Sequence, residues 1–267
     1  MTGRMKLFPL LAFGLYMVFY YFHNQQTVPI TGRKHLVDTT LQQDAALGLQ
    51  SYQQILTTAQ VVSSGEQADM VKRVGERLKK VVEDPGFQWE FTLIQSNQVN
   101  AFCLPGGKVA VYTGILPIAQ NENGLAVVMG HEIAHAIARH GAERMAQQKL
   151  VQLGTLAVGV SSSDMDPRQR AAIMGALGVG AQYGILLPFS REHESEADYM
   201  GLIYVARSCY DPTEAPKLWE RMSASSKGAP AEFMSTHPSN ATRIRQFQQW
   251  MPEAEDVRAK NCGGGAK

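Results

Sequence analysis

The five residues His131, Glu132, Ile133, Ala134 and His135 constrain this chain more than any other stretch. No proline falls between Gly124 and Gln148, and Leu125, Val128 and Ala136 to Ala138 are apolar residues that suit a helix. At 3.6 residues per turn, His131 and His135 stand one above the other on a single helical face. Two imidazoles so placed can bind one Zn²⁺ at about 2.0–2.1 Å each. Glu132 follows the first of them by one residue, so it lies beside such a metal and is the candidate general base. The bland alternative is a pair of buried or surface histidines.

A catalytic zinc takes three protein ligands and keeps one position open for water. His140 is the local candidate for the third, but metzincin spacing puts that histidine six residues after the second, with glycine at the third. Those positions hold Gly141 and Ala138 here, so His140 reads as a solvated histidine near the end of the motif. The stretch from Ser190 to Asp198 is the better source. It continues through Tyr199 to Arg207 as a helix with Leu202 and Val205 on one face. Glu194 and Asp198 are spaced i, i+4 and point the same way. Glu194 is therefore the expected third zinc ligand, and Asp198 the acceptor that fixes the free ring nitrogen of a ligating histidine. Glu192 and Glu196 face elsewhere and read as solvated charges, Glu192 suiting the helix N-terminus. Gly201 leaves room for two helices to approach closely.

With these residues in place, the chain resembles the gluzincin family of membrane-associated zinc metallopeptidases. The type is that of the stress-induced membrane protease and the CAAX prenyl endopeptidase, and the nearest branch is the periplasmic and mitochondrial inner-membrane quality-control branch. The family's HExxH and ExxxD helices are matched by His131, Glu132, His135, Glu194 and Asp198. Asn100 to Gly107, Val111 to Gly114, and Thr236-His237-Pro238 are further similarities. The resemblance runs over roughly residues 28 to 252. Cys103 departs from the small apolar residue expected at its position.

The resemblance implies endopeptidase activity on polypeptides, as unfolded or membrane proteins, with one Zn²⁺ per chain and a role in envelope quality control. The rival class is a membrane-tethered chaperone or assembly factor that binds unfolded clients; a damaged zinc constellation would mark it, and this one is intact in the sequence.

The expected architecture is α+β, mainly α: a zincin-like catalytic domain over residues 26–252 with a small antiparallel sheet, an N-terminal anchor over 1–25 and a flexible tail over 253–267. A chain of 267 residues, 45% hydrophobic, has an ample core. A net charge of +1 leaves no electrostatic footprint for nucleic acid. Cys103, Cys209 and Cys262 lack CxxC spacing; Cys209 and Cys262 can pair in an oxidising compartment, or all three can be free thiols. Arg4 and Lys6 precede an uncharged run from Leu7 to Phe22, about 24 Å of helix against a hydrocarbon core of roughly 30 Å. Tyr16, Tyr20 and Tyr21 suit an interfacial belt. No A-x-A-like cleavage site follows, which favours an uncleaved single-pass anchor in an inner membrane over a secreted form. The charge bias then places the catalytic domain in the periplasm. The absence of an Arg- and Ser-rich leader favours a bacterial over a mitochondrial host.

Residues 41 to 83 read as two amphipathic helices, the second with Val71, Val74, Leu78 and Val81 on one stripe. Phe87 to Ile94 reads as a strand, and Val99 to Cys103 with Lys108 to Tyr112 as a hairpin. Lys108, Val109, Ala110, Val111 and Tyr112 are the expected edge strand that binds an extended substrate by ladder hydrogen bonds. Leu150 to Val160 is too short to span a bilayer, and Ala171 to Leu187 reads as a buried helix packed on the catalytic helices. Asp211-Pro212 reads as a helix start. Ser225 to Pro230 reads as a flexible linker, and Asn261 to Lys267 as a disordered tail. His237 precedes a basic amphipathic helix carrying Arg243, Ile244, Arg245, Phe247 and Trp250. As a lone histidine it suits a structural role; the alternatives are an oxyanion donor and a group that blocks the open zinc position in a latent form.

Overall fold

Asn121 starts the helix that carries the two motif histidines: its side chain accepts from the backbone N–H of Asn123 at 2.9 Å and of Gly124 at 3.1 Å. This and the other elements are seen in a computed structural model that describes residues 4–225, 233, 235, 237 and 241–263. The chain divides into two compact units. One holds residues 1–28, 32–39 and 139–193, the other residues 29–31, 40–138 and 194–267.

The larger unit contains a four-stranded sheet of β3 (Val61–Val62), β4 (Glu90–Ile94), β5 (Ala101–Leu104) and β6 (Lys108–Tyr112), in the order β3-β4-β6-β5. The sheet is mixed rather than antiparallel as expected: β6 runs parallel to β4, with Glu90 opposite Lys108, and antiparallel to β5, with Ala101 opposite Val111. Gly106 and Gly107, at φ 87° and 82°, turn the chain between β5 and β6 in a region that favours glycine. Val109, Ala110 and Val111 are all buried, as expected of a strand covered on both faces.

α2 (Leu41–Leu56) begins at a reciprocal capping box between Thr40 and Gln43. α3 (Glu66–Lys79) buries Val71, Val74 and Leu78 of the expected stripe, while Val81 lies past its end and is half-buried. The short α4 (Leu116–Ala119) leads into α5 (Glu122–Ile137), which is buried along nearly its whole length. The second half of α8 (Leu187–Arg207) crosses α5 where two glycines meet. A Cβ on Gly201 would lie 2.9 Å from the backbone N of His131, and one on Gly130 would lie 3.1 Å from the Gly201 carbonyl O. Only hydrogen at both positions lets the two motif-bearing helices come this close. α9 (Glu214–Ser225) and α10 (Ala241–Cys262) complete the unit. Cys209 and Cys262 form a disulfide with Cα atoms 5.6 Å apart, tying the end of α10 to the turn after α8.

The smaller unit is built on α1 (Phe8–His23), the hairpin β1 (Gln25–Thr27) and β2 (Lys34–Leu36), α6 (His140–Ser161) and α7 (Pro167–Ala181). Tyr20, Ala146 and Leu150 form its small core, with Tyr16, Met17 and Leu36 packed against it. Gly154 of α6 lets Phe13 of α1 approach; a Cβ there would meet the ring at 3.2 Å.

Several expectations are corrected. α5 ends at Ile137, just before His140, and Arg139 takes a left-handed φ of 56° before α6 begins. Its guanidinium donates to Gln26 Oε1 at 2.6 Å and to the Thr39 carbonyl at 2.8 Å. Hydrogen bonds to distant segments therefore hold the break at Arg139, a position that is itself neither glycine nor proline. His140 is buried, stacked on His193 at 4.3 Å between ring centroids. Around them Glu143 lies 2.9 Å from His193 Nε2 and accepts from Arg33 at 2.7 and 2.9 Å. Against the opposing effect of burial, His193, His35 and Arg33 hold its carboxyl far below the usual carboxylate range.

Glu192 is exposed as expected, whereas Glu196 is buried and accepts a hydrogen bond from Thr31. α7 is not a buried helix: Ala171, Ala172, Gly175, Val179 and Gly180 are exposed, and Ala181 alone among its described residues is buried. Asp211 accepts from Thr213 in a turn, and the helix starts at Glu214. α10 runs unbroken through Pro252 to Cys262, so residues 253–262 are ordered helix rather than tail. Residues 226–230 of the expected linker and 264–267 of the tail lie outside the described residues. No helix of the described residues is long and apolar enough to cross a membrane.

Candidate metal centre

Four side chains from three segments converge beside the α5–α8 crossing. His131 and His135 come from one face of α5, Glu194 from α8, and His237 from the segment before α10. Each offers one donor atom, and these atoms all lie within 4.8 Å of one another. His131 Nε2 is 3.1 Å from His135 Nε2 and 3.1 Å from His237 Nδ1. Glu194 Oε2 is 3.5 Å from His131 Nε2 and 3.0 Å from His237 Nδ1, and Glu194 Oε1 is 3.4 Å from His135 Nε2. Donors around a tetrahedral zinc at about 2.0–2.1 Å are separated by roughly 3.3–3.4 Å. These nitrogen and oxygen donors have the spacing and the chemical type of such a site.

Glu132 is buried beside them, with Oε1 3.4 Å from His237 Nε2. That oxygen has no hydrogen-bond partner among the described residues. Burial raises the Glu132 pKa, opposed by His237 and His131. A carboxylate in this setting is a better proton acceptor than one in water. Glu194 is held well below the usual carboxylate range, against burial, by His135, His131 and His237. His131, also against burial, is raised to about 9 by Asp198 and Glu194.

Asp198 Oδ1 lies 3.0 Å from His131 Nδ1, the ring nitrogen turned away from the donor cluster. Arg243 of α10 grips Asp198 from behind, donating through Nε to Oδ2 and through Nη2 to Oδ1, each at 2.6 Å. Its guanidinium stacks 3.7 Å above the Trp219 ring, and Nη1 lies 3.3 Å from Glu194 Oε2. Trp219 and Phe233 pack against His131 at 5.7 and 6.4 Å between centroids. In the sequence, Arg243 reads only as one charge of a basic helix. Its signal, that a buried Asp198 needs a cation, becomes visible only once burial is known.

Lys108 to Tyr112 do not form the sheet edge. As β6 they are hydrogen-bonded to β4 on one side and β5 on the other, because β4 pairs with β6 in parallel across the intervening hairpin strand. The edges are β3 and β5, and β5, Ala101–Leu104, packs against α5, the helix that carries the two histidines; burial and the Glu132 charge push the Cys103 thiol well up.

The model of peptidase family M48 matches residues 65–251. The chain is 37% identical over 244 residues to the mitochondrial metalloendopeptidase OMA1 of Schizosaccharomyces pombe, covering 90% of this chain and 70% of that protein. It is 32% identical to the protein of the same name from Saccharomyces cerevisiae, covering 92% and 74%. It is 28% identical over 224 residues to the beta-barrel assembly-enhancing protease of Escherichia coli, covering 82% of this chain and 46% of that one.

Proposed function

The chain belongs to peptidase family M48 and is a zinc-dependent metalloendopeptidase, and on that premise we propose that His131, His135 and Glu194 hold the metal while Glu132 moves the proton. The observation that carries this assignment is the convergence of the donor atoms within 4.8 Å of one another, next to a buried carboxylate.

Zinc bound there supplies a Lewis acid that lowers the pKa of water and polarises a scissile carbonyl. Glu132 accepts the proton of the attacking water and passes it to the leaving amide nitrogen. Asp198 fixes the ring orientation and tautomer of His131 through Nδ1. Arg243 keeps Asp198 aligned and its charge compensated. The β5 edge pairs with an extended polypeptide by ladder hydrogen bonds, in the place first expected of Lys108 to Tyr112.

His237 blocks the fourth position in a latent form. Its Nδ1 shares the donor cluster and its Nε2 faces Glu132, which favours blocking over oxyanion binding. The biological reading is an envelope quality-control peptidase acting on misfolded or membrane-associated proteins, anchored through the N-terminal region with residues 26–252 as the catalytic part. The intact donor set disfavours a chaperone without proteolysis.

Casein cleavage by the full chain tests this reading. A chelator abolishes cleavage, and His237→Ala raises the rate about 10–100-fold at unchanged zinc content, as follows if His237 holds the site closed in 90–99% of molecules. Chelator-resistant cleavage contradicts the metal assignment; an unchanged or lower His237→Ala rate contradicts the latch.

A further inference from the structure

The smaller unit carries a surface that water does not suit. Among the described residues, every exposed large apolar side chain except Leu47, Leu49 and Val61 lies in this unit. They are not confined to α1, where Phe8 is 81% and Phe22 76% exposed; Leu156 on α6 is 62% exposed, and Val179 and Tyr183, on and just after α7, are 60% and 70% exposed. The sequence matches this surface. Three helical stretches are free of charge: Leu7 to Phe22, Leu150 to Ser163 and Ala171 to Ser190. Contiguous apolar surface of this kind marks a partner or a membrane.

Charge distribution and internal space decide between those two. The start of α1, the end of α6 and the start of α7 meet at one tip. There the Lys6 N–H donates to the Ser161 carbonyl at 2.8 Å, and Lys6 Nζ lies 3.0 Å from Asp164. Arg4, Lys6, Arg168 and Arg170 are all exposed at this tip and outnumber Asp164 and Asp166. An uncharged belt capped by a net-positive tip complements hydrocarbon bordered by lipid phosphates. Between α1, α6 and α7 lies a cavity of about 550 Å³, lined by Phe13, Met17, Leu150, Val151, Ala176 and Leu177 among others. Its size and apolar lining suit an aliphatic chain.

We propose that α1, α6 and α7 together insert into the hydrocarbon of a phospholipid bilayer, with an acyl chain in the cavity they enclose and the basic tip among the phosphates. The α6–α7 hairpin is thus a second membrane element beside the N-terminal helix, although among the described residues no single helix is long and apolar enough to cross. This inference rests on the membrane association proposed above and adds which surface makes it.

Full-length variants Phe19→Cys, Leu156→Cys, Val179→Cys and Leu49→Cys test it, each on a Cys103→Ser background with the native disulfide intact. Each carries an environment-sensitive fluorophore and is mixed with vesicles of phosphatidylcholine and phosphatidylglycerol bearing doxyl-labelled acyl chains. Labels at 19, 156 and 179 are expected to lose about half their emission or more to the quencher, and the label at 49 none. Quenching at 19 without quenching at 156 and 179 overturns the hairpin's insertion and leaves the membrane reading standing. No quenching at any position overturns both. Self-quenching at 179 that persists without lipid overturns the proposal by placing a second copy of the chain on this face.

Discussion

Glu132→Gln leaves one zinc per chain and slows polypeptide hydrolysis by about 10²–10⁴-fold, the range that a positioned acid–base group contributes. The substitution keeps the shape of the side chain and removes its capacity to accept a proton. None of the proposed metal donors is touched, since His131, His135, Glu194 and His237 form the cluster without it. Metal analysis and casein cleavage on the same preparation separate the two effects. Turnover within tenfold of the parent chain would remove Glu132 from the role of base, and loss of zinc would show that it supports the metal instead.

Arg243→Ala destabilises the protein by about 3–5 kcal/mol, the cost of leaving a buried carboxylate without its partner. Arg243 and Asp198 are both almost fully buried and joined by two hydrogen bonds of 2.6 Å. A buried ion pair is not in itself strongly stabilising, because desolvating both charges offsets their attraction. Breaking one is costly because the surviving charge keeps its desolvation and loses its compensation. For a chain of this size such a loss lowers Tm by roughly 6–20 °C. Zinc affinity falls with it by about 10–100-fold, because Asp198 no longer holds His131 in place. Arg243→Lys restores a point charge but not the planar two-point grip, so it recovers only part of both losses. Thermal unfolding and competitive zinc titration of the two variants read this directly. A Tm within about 2 °C of the parent for Arg243→Ala would contradict the role given to this residue.

What was legible in the sequence is what helix geometry fixes locally. The i, i+4 spacings of His131 with His135 and of Glu194 with Asp198 set side-chain direction whatever the rest of the chain does, and the structure brings those four residues together. Gly201 was readable for the same reason, as the small residue one helix needs to pass another. What was not legible depends on partners far away in sequence. Arg243 reads as one more charge on an amphipathic helix until Asp198 is known to be buried behind His131. The break at Arg139 is held by Gln26 and Thr39 rather than by a local turn residue.

The hairpin of β5 and β6 was visible in its alternation and its Pro-Gly-Gly turn, but which of its strands is the edge depends on β4 pairing in parallel with β6. The uncharged run of α7 has the composition of a buried helix, and composition alone does not distinguish a protein interior from an exposed apolar surface. Burial of His140 and Glu196 likewise follows from His193 and Thr31, neither of which their own spacing indicates.

Two imidazoles of one helix and one carboxylate of another are proposed to hold a single zinc ion. Anomalous diffraction from crystals of the metal-loaded full chain, collected on either side of the zinc absorption edge, tests it most directly. One peak per chain is expected, at about 2.0–2.2 Å from His131 Nε2, His135 Nε2 and a carboxylate oxygen of Glu194. No peak among those three side chains, or a peak bound elsewhere, would contradict it.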